Sequence, residues 1–445
     1  MTRKATLSGI CFVLLLLVLA PGQGNAETRV KKEKLQVFIL AGQSNMVGHS
    51  YYITIPTLLT AKEPEVRDLA KLVFKKDAKI SRAVVEDLIA TRIKRDNINK
   101  DLRAKKIEGA DKIAAAQAEV KKLQAQVDAK MEKIKDTFVV SKQVYITSIA
   151  DGNRGSGPLT VGYGGNRDKI GPEFGFGLTM AQKMDAPILI IKTSWGGKSL
   201  NYNFRPPSAG PYKLNEKEQT AKNAADISKN ASLNWRMMNE AVHNVLKDLK
   251  THHPAYDAKV GYDIAGFVWF QGWNDMYGGA ELEYASNMKH LINDVRKDLK
   301  APKLPFVIGV MGAGGPIAKY GPEQKRYAGI HGEFRKAMAA PAKLPEFKGN
   351  VTAVFTENYW DLQLSELVNR NGKVNAKRRE LSKDQTLTRE QRDKAVANYT
   401  AKLFTKRELK ILQTGTSNAA YHYLGSAKIL AQIGKAFANA LAAME

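Results

Sequence analysis

Short apolar runs that alternate with helical patterns constrain the fold of this 445-residue chain more than any other feature. The runs are bounded by turn residues and rich in Val, Ile and Phe, as buried strands are. Helical patterns over 175–184, 235–249 and 280–299 separate most of them. This alternation predicts an α/β fold, with a parallel central sheet covered by helices on both faces. The predicted strands cover 35–41, 144–149, 187–193, 264–270, 306–310 and 351–355.

The N-terminus has the pattern of a secretory signal over residues 1–26. Arg3 and Lys4 precede an apolar run over 10–20, and small residues end the segment at Ala26. The run is too short to span a bilayer, so we expect cleavage after Ala26, a secreted or periplasmic product and no transmembrane segment. Cys11 is the only cysteine, so the mature chain is expected to have no disulfide and no thiolate metal site.

The formal charge of +25 raises the question of nucleic-acid binding. The basic residues, however, are interleaved with Asp and Glu along helical segments, and an exported protein does not meet the genome. Nucleic acid is therefore not predicted as a partner. The excess charge favours some attraction for acidic carbohydrates.

Two charged helical segments interrupt the alternation, and we interpret 27–445 as one domain that carries them as insertions. The first covers about 60–137, with a turn predicted at Gly109, and the second covers about 365–409. Two interpretations of the first remain open. A helical hairpin packed on its own domain is favoured over a coiled-coil arm that would form a homodimer. The apolar seam of the first segment consists of Ile113, Ala116, Val120, Leu123 and Val127.

Polar and glycine residues follow three of the predicted strands. Ser44 follows the first strand, Gly196 and Gly197 follow the third, and Gln271 and Asn274 follow the fourth. The carboxyl ends of parallel strands form one edge of a sheet, where ligands bind, so we expect these residues to lie together.

These residues fit acyl transfer, which needs a nucleophile, a base and donors for an oxyanion. Ser44 is the candidate nucleophile and His422, which precedes the last helical pattern, is the candidate base. The Ser44 N–H, a glycine N–H and a side-chain amide are candidate oxyanion donors. No cofactor or metal is expected, because the sequence has no metal-ligand spacing, no G-x-G-x-x-G and no P-loop.

Four motifs together resemble the SGNH hydrolases, in their sialate O-acetylesterase-like and carbohydrate esterase family 6 branch: "GQSNM", "SWGG", "QGWND" and "SNAAYHYLGSAK". The resemblance implies a three-layer, flavodoxin-like fold. It also implies that Ser44 is the nucleophile and His422 the general base. Gly196 or Gly197, with Gln271 or Asn274, would then complete the oxyanion hole.

The chain departs from that family at Ala419, where the family places an aspartate three residues before its histidine. A carboxylate in that place holds the imidazole tautomer and stabilises its charged form. We expect Asp361 to take this role, with Glu357 and Asp275 as alternatives. Asn418 lies close by in sequence but carries no charge, and a Ser–His dyad also remains open.

The sequence thus predicts an exported serine esterase that removes O-acetyl groups from a carbohydrate, either a polysaccharide or a sialic acid type of substrate. Two alternatives remain: a catalytically impaired glycan-binding or scaffold protein on the same fold, and a lipid or thioester hydrolase.

Overall fold

A seven-stranded sheet organises the part of the chain that the computed structural model describes, which is residue 1 and residues 33–444. From Lys34 onward the chain forms one compact unit. Except for Met1, the signal segment lies outside the described residues. Within the described ranges, no helix is both long enough and apolar enough to cross a bilayer.

The strands confirm the predicted runs to within a few residues at their ends. They are β1 (Leu35–Gly42), β2 (Ser50–Tyr51), β3 (Val144–Ala150), β4 (Asn153–Pro158), β5 (Lys169–Ile170), β6 (Ile188–Ser194), β7 (Tyr262–Phe270), β8 (Phe306–Val310) and β9 (Val351–Phe355). The main sheet has the order β4-β3-β6-β1-β7-β8-β9, and β2 and β5 form a separate pair. All neighbours in the main sheet are parallel except β3 and β4.

Strand β4 was not predicted. Its sequence, "NRGSGP", is polar and rich in glycine, and its residues are exposed or half-buried. It is an edge strand that pairs in antiparallel fashion with β3, so its stability comes from the β3 ladder and needs no apolar pattern of its own.

Helices cover both faces of the sheet, as predicted for an α/β fold. The α-helices are α1 (Ser44–Val47), α2 (Pro64–Val73), α3 (Arg82–Arg103), α4 (Ala110–Lys135), α5 (Pro172–Met180), α6 (Glu216–Gln219), α7 (Ala224–Asn230), α8 (Leu233–Lys247), α9 (Leu249–His252), α10 (Ala280–Asp298), α11 (Pro322–Lys325), α12 (Ala328–Ala339), α13 (Leu362–Lys383), α14 (Arg389–Leu403), α15 (Lys406–Gly415) and α16 (Ala427–Ala442).

Strand β1 separates two hydrophobic cores because its side chains point alternately to the two faces of the sheet. Phe38 and Leu40 pack in the core beneath α5 and α16. Val37 and Ile39 pack in the core beneath α8, α10 and α12. All four side chains are fully buried. This two-sided burial explains why the strand reads as a continuous apolar run.

The first helical segment contains a hairpin of α3 and α4, whose base packs into the main core. Leu88, Val127 and Ile134 belong to the core cluster beneath α5 and α16. The other end of the predicted seam is open, since Ile113 is exposed. Leu123 and Val127 of the seam are buried within the chain, and the coiled-coil homodimer stays a prediction.

The second helical segment consists of α13, α14 and α15. These helices share a small cluster that includes Leu367, Val374, Val396 and Phe404. Arg389 on α14 forms an ion pair with Asp101 on α3, so the two helical segments contact each other at the surface.

Candidate active site

The ends of three adjacent strands bring the predicted site residues together. Gly42 at the end of β1 pairs with Ser194 at the end of β6 and with Phe270 at the end of β7. The residues that follow these positions therefore leave the sheet side by side. This is the carboxyl edge, where open α/β sheets bind ligands.

Gly42 explains why the apolar run ends so abruptly. A β-carbon at this position would lie 2.1 Å from the carbonyl oxygen of Phe270, so only glycine fits. The chain then turns directly into the short helix α1, which begins at Ser44. Ser44 is half-buried, while Asn45 and Met46, which follow it, are buried.

His422 lies against the Ser44 turn although it is distant in sequence. The Nδ2 of Asn45 donates to the carbonyl oxygen of Tyr421 at 3.1 Å, and this bond fixes the two segments to each other. Among the described residues, no hydrogen bond joins Ser44 Oγ to the His422 ring. Catalytic hydrogen bonds are often long until substrate binds, so this geometry is compatible with a base.

The backbone after His422 is strained. Tyr423 and Leu424 have φ values of 51° and 62°, which residues other than glycine rarely adopt. The Tyr423 hydroxyl anchors the turn, because it accepts the N–H of Gly312 at 2.8 Å and bonds to Thr356 Oγ1 at 2.5 Å. Strain of this type clusters at functional sites, where the surrounding structure maintains it.

Asn418 holds the His422 ring. Its Oδ1 accepts the backbone N–H of Ala419 at 2.8 Å and lies 3.2 Å from Nδ1 of His422. Because a backbone N–H can only donate, the Asn418 atom at this position is the oxygen. His422 Nδ1 must therefore carry the proton, which leaves the lone pair of Nε2 free to accept one.

His49 is a site residue that the sequence reasoning missed. Its ring stacks on that of His422, with centroids 4.3 Å apart and an angle of 20° between the planes. Burial and, to a smaller extent, the nearby His422 lower the pKa of His49 to about 4. Two neutral rings therefore stack at neutral pH. The sequence signal that could have identified His49 was its position just after the short helix that begins at Ser44.

His422 is also neutral over a wide pH range. Burial and, secondarily, the positive charge of Lys169 lower the pKa of His422 to about 4. Lys169 lies next to the site, with its ammonium 5.2 Å from the centre of the Tyr51 ring.

The three carboxylates expected to assist His422 are each hydrogen-bonded or ion-paired to other groups. Asp361 caps helix α13 through the N–H of Leu364 at 2.9 Å and pairs with Lys428 at 3.1 Å. Glu357 forms an ion pair with Arg335.

Asp275, the third of these carboxylates, is buried and holds the loop at 200–201 through hydrogen bonds. It accepts the N–H groups of Leu200 and Asn201, both at 2.7 Å. Its burial raises its pKa to about 6, although these hydrogen bonds act in the opposite direction. Among the described residues, the ring nitrogen partner of His422 is thus an amide and not a carboxylate.

Gly196 is the one of the two candidate glycines that lies beside Ser44. A β-carbon built on Gly196 would be 3.9 Å from Cβ of Ser44, whereas one on Gly197 would meet open space. The Gly196 N–H currently donates to Oδ2 of Asp151 at 2.6 Å. Asp151 was not predicted, and its position directly after β3 was the available signal.

The two candidate amides after β7 differ in what they contact. Gln271 is buried, and its Nε2 donates to the Lys198 carbonyl at 2.9 Å and to Asp275 at 2.5 Å. Asn274 is exposed, and its Oδ1 accepts Nε2 of Gln43 at 3.1 Å. The Nδ2 of Asn274 has no hydrogen-bond partner among the described residues. Asn274 is therefore the better oxyanion donor of the two.

The tryptophans near the site divide between core and surface. Trp195 and Trp269 are buried in the core beneath α8 and α10. Trp273 is half-buried, and its ring lies 6.0 Å from that of Tyr421. Within residues 33–444, no cluster of His, Cys, Asp and Glu has the arrangement of a metal site.

A family model described as carbohydrate esterase, sialic acid-specific acetylesterase, matches residues 153–340. This match covers less than half of the chain. It supports a carboxylic ester hydrolase of the carbohydrate esterase type. The match includes Gly196, Gln271 and Asn274, while Ser44 and His422 lie outside it.

Comparisons with solved structures give weaker likenesses. A protein from Arabidopsis thaliana is 15% identical, with 73% of this chain and 86% of that chain covered and a TM-score of 0.36. A carbohydrate acetylesterase from Xanthomonas citri is 13% identical, with 72% of this chain and 49% of that chain covered and a TM-score of 0.33. NanS is 11% identical, with 73% of this chain and 78% of that chain covered and a TM-score of 0.35. TM-scores this low do not support an inference from these structures to this chain. No curated protein matches the chain.

Proposed function

We propose that the chain is an exported serine esterase that removes O-acetyl groups from a carbohydrate through an acyl-enzyme on Ser44. The bond that Asn418 makes with His422 Nδ1 carries this proposal. It leaves Nε2 as the base, on a segment tied by Asn45 to the turn that bears Ser44.

The first half of the proposed reaction acetylates the serine. His422 Nε2 takes the proton of Ser44 Oγ as the oxygen attacks the acetyl carbon. The sugar oxygen then leaves with the proton from the imidazolium. In the second half, His422 activates a water that attacks the acyl carbon, so acetate is released and Ser44 regains its proton.

The oxyanion that forms in each half requires donors that are already in place. We assign this role to the N–H of Ser44, the N–H of Gly196 and Nδ2 of Asn274. The carboxylate of Asp151 occupies the Gly196 donor, so the substrate oxygen must displace it. Asn274 is held by Gln43 and needs no such rearrangement.

Two further features bear on the substrate and on export. The formal charge of +25 and the position of Lys169 near His422 support an acidic carbohydrate. The pattern of residues 1–26 supports export.

The test is acetate release by Ser44→Ala, measured on acetylated xylan, acetylated sialic acid and p-nitrophenyl esters of increasing chain length. We expect kcat to fall at least about a thousandfold, because the only activated nucleophile is lost. The matched control is Ser365→Ala, another half-buried serine, which should keep full activity.

Undiminished turnover by the Ser44→Ala protein would rule out the acyl-enzyme mechanism. A preference for long-chain esters over acetyl esters would instead favour a lipid or thioester hydrolase. Faster release from acetylated sialic acid than from xylan would support the acidic substrate.

A further inference from the structure

Four aromatic rings form a series of ring contacts that begins at His422, and none has a part in the proposed chemistry. Tyr421 contacts His422 with ring centroids 4.4 Å apart, and Trp273 lies 6.0 Å beyond it. His331 follows at 6.4 Å from Trp273, and Tyr327 stacks on His331 at 5.8 Å. We call these four residues the aromatic ladder.

Two rings of the ladder, at its inner and outer ends, are accessible. Tyr421 is 47% exposed and Tyr327 is 37% exposed, while Trp273 is half-buried and His331 is buried. Trp273 also packs against both hydrophobic cores, which fixes its orientation. A surface of this type, contiguous with a reaction site, is typical of ligand recognition.

The ladder is held at both ends. At the inner end, the Tyr421 carbonyl accepts the hydrogen bond from Asn45. At the outer end, His331 Nδ1 bonds to the Tyr320 hydroxyl at 2.6 Å, and that hydroxyl also accepts from Arg335 at 3.0 Å. Because the Tyr421 backbone and the His331 ring are already held, binding to the ladder costs less conformational entropy than binding to a mobile segment would.

The ladder also stays uncharged at neutral pH. Burial and, to a smaller extent, the charge of Arg335 lower the pKa of His331 to about 4. Uncharged rings favour ligands with flat apolar faces and polar edges. The Arg326 guanidinium, 4.7 Å from the centre of the Tyr327 ring, adds one positive charge at the outer end. The C–H faces of sugar rings, with hydroxyls at their rims, have this chemistry.

We propose that the aromatic ladder is an oligosaccharide-binding subsite, which holds the sugar units next to the one whose acetyl group lies at Ser44. The proposal rests on the proposed function, which makes a carbohydrate the substrate class and places its acetyl group at Ser44. The esterase would then act on acetylated oligosaccharides in preference to single acetylated sugars.

The kinetic test compares acetylated xylo-oligosaccharides and acetylated sialyl-oligosaccharides of increasing length with the corresponding single sugars. We expect kcat/KM of the unmodified protein to rise with length in at least one series. Tyr327→Ala should reduce that rise roughly three- to tenfold, as expected from the loss of one aromatic contact. The matched control is Tyr262→Ala, since Tyr262 is 36% exposed but lies at the opposite end of strand β7.

If kcat/KM were independent of substrate length in both series, the proposed oligosaccharide subsite would be wrong, while the esterase mechanism would be unaffected. An equal loss for long and short substrates in Tyr327→Ala would also overturn it, because that pattern indicates a structural role. Calorimetry on Ser44→Ala with the deacetylated oligosaccharides separates the two proposals. Binding that Tyr327→Ala weakens three- to tenfold would support the ladder even if ester hydrolysis failed.

Discussion

Asn418, an amide and not a carboxylate, contacts Nδ1 of His422, and this difference bears on the chemistry proposed for the site. An amide oxygen can fix the tautomer of the ring by accepting the Nδ1 proton, as the bond to His422 does. It carries no charge, however, so it stabilises the imidazolium less than an aspartate would. Together with burial and Lys169, this is consistent with the pKa of His422 near 4.

We expect Asn418→Asp to move the acid limb of the pH profile to higher pH. His422 must be neutral to accept a proton, so kcat/KM falls as the pH drops through its pKa of about 4. A carboxylate beside Nδ1 stabilises the imidazolium, which raises this pKa and moves the limb upward. The measurement is kcat/KM for a small acetyl ester from pH 3 to 8.

Asn418→Ala serves as the comparison, because it removes the acceptor without adding charge. Its kcat should fall by roughly a hundredfold or more, since the ring tautomer is no longer held. Identical pH profiles for all three proteins would mean that His422 is not the base.

At the scale of elements, the helical hairpin of α3 and α4 is attached by its base and free at its tip. Ile134 is fully buried in the main core, whereas Ile113, on the same helix, is 36% exposed. Between them, Lys130 on α4 pairs with Asp87 on α3. The hairpin thus gains its stability from the core at one end and from exposed pairs along its length.

Ile134→Ala should therefore lower the free energy of unfolding by about 2–5 kcal/mol, the cost of a cavity in a packed core. Ile113→Ala, the same change on the same helix, should alter it by less than about 0.5 kcal/mol. Urea unfolding monitored by circular dichroism measures both.

The two variants also test the dimerisation interpretation. If the seam joined two copies, Ile113→Ala would destabilise the protein in a manner that depends on concentration. Light scattering of the unmodified protein would then give the mass of a dimer.

At the scale of the whole molecule, one buried ion pair connects the sheet to the site. Lys192 on β6 and Glu173 on α5 are both fully buried and lie 2.7 Å apart. The Lys192 ammonium also donates to the carbonyls of Val47 and Tyr163, each at 2.8 Å. Burial lowers the pKa of Lys192, while Glu173 acts in the opposite direction. Val47 ends the helix that begins with Ser44, so the Lys192–Glu173 ion pair stabilises the turn that bears Ser44.

Lys192→Met should destabilise the fold by about 3–5 kcal/mol, because it leaves the Glu173 carboxylate buried without its counter-ion. Lys183→Met, at an exposed lysine, should change stability by less than about 0.5 kcal/mol. Adding Glu173→Gln to Lys192→Met should recover part of the loss, as measured by urea unfolding. If Lys192→Met alone were neutral, the ion pair would have no stabilising role.

The sequence by itself determined the layered fold and the edge at which the site lies. Strand and helix periodicities are local, since they reflect which neighbouring side chains share a face, so β1, β6, β7 and the residues after them could be predicted. Strand β4 lacked such a pattern, because its ladder with β3 holds it in place.

Only the tertiary structure decided the partners of those residues. Asp361 was expected beside His422 but caps a helix and pairs with Lys428, while Asn418 and His49 surround the ring instead. Hydrogen bonds and ring contacts depend on distances of a few ångströms between segments far apart in the chain, and no local pattern encodes those distances. The aromatic ladder depends on the same packing, since it joins rings from three separate segments.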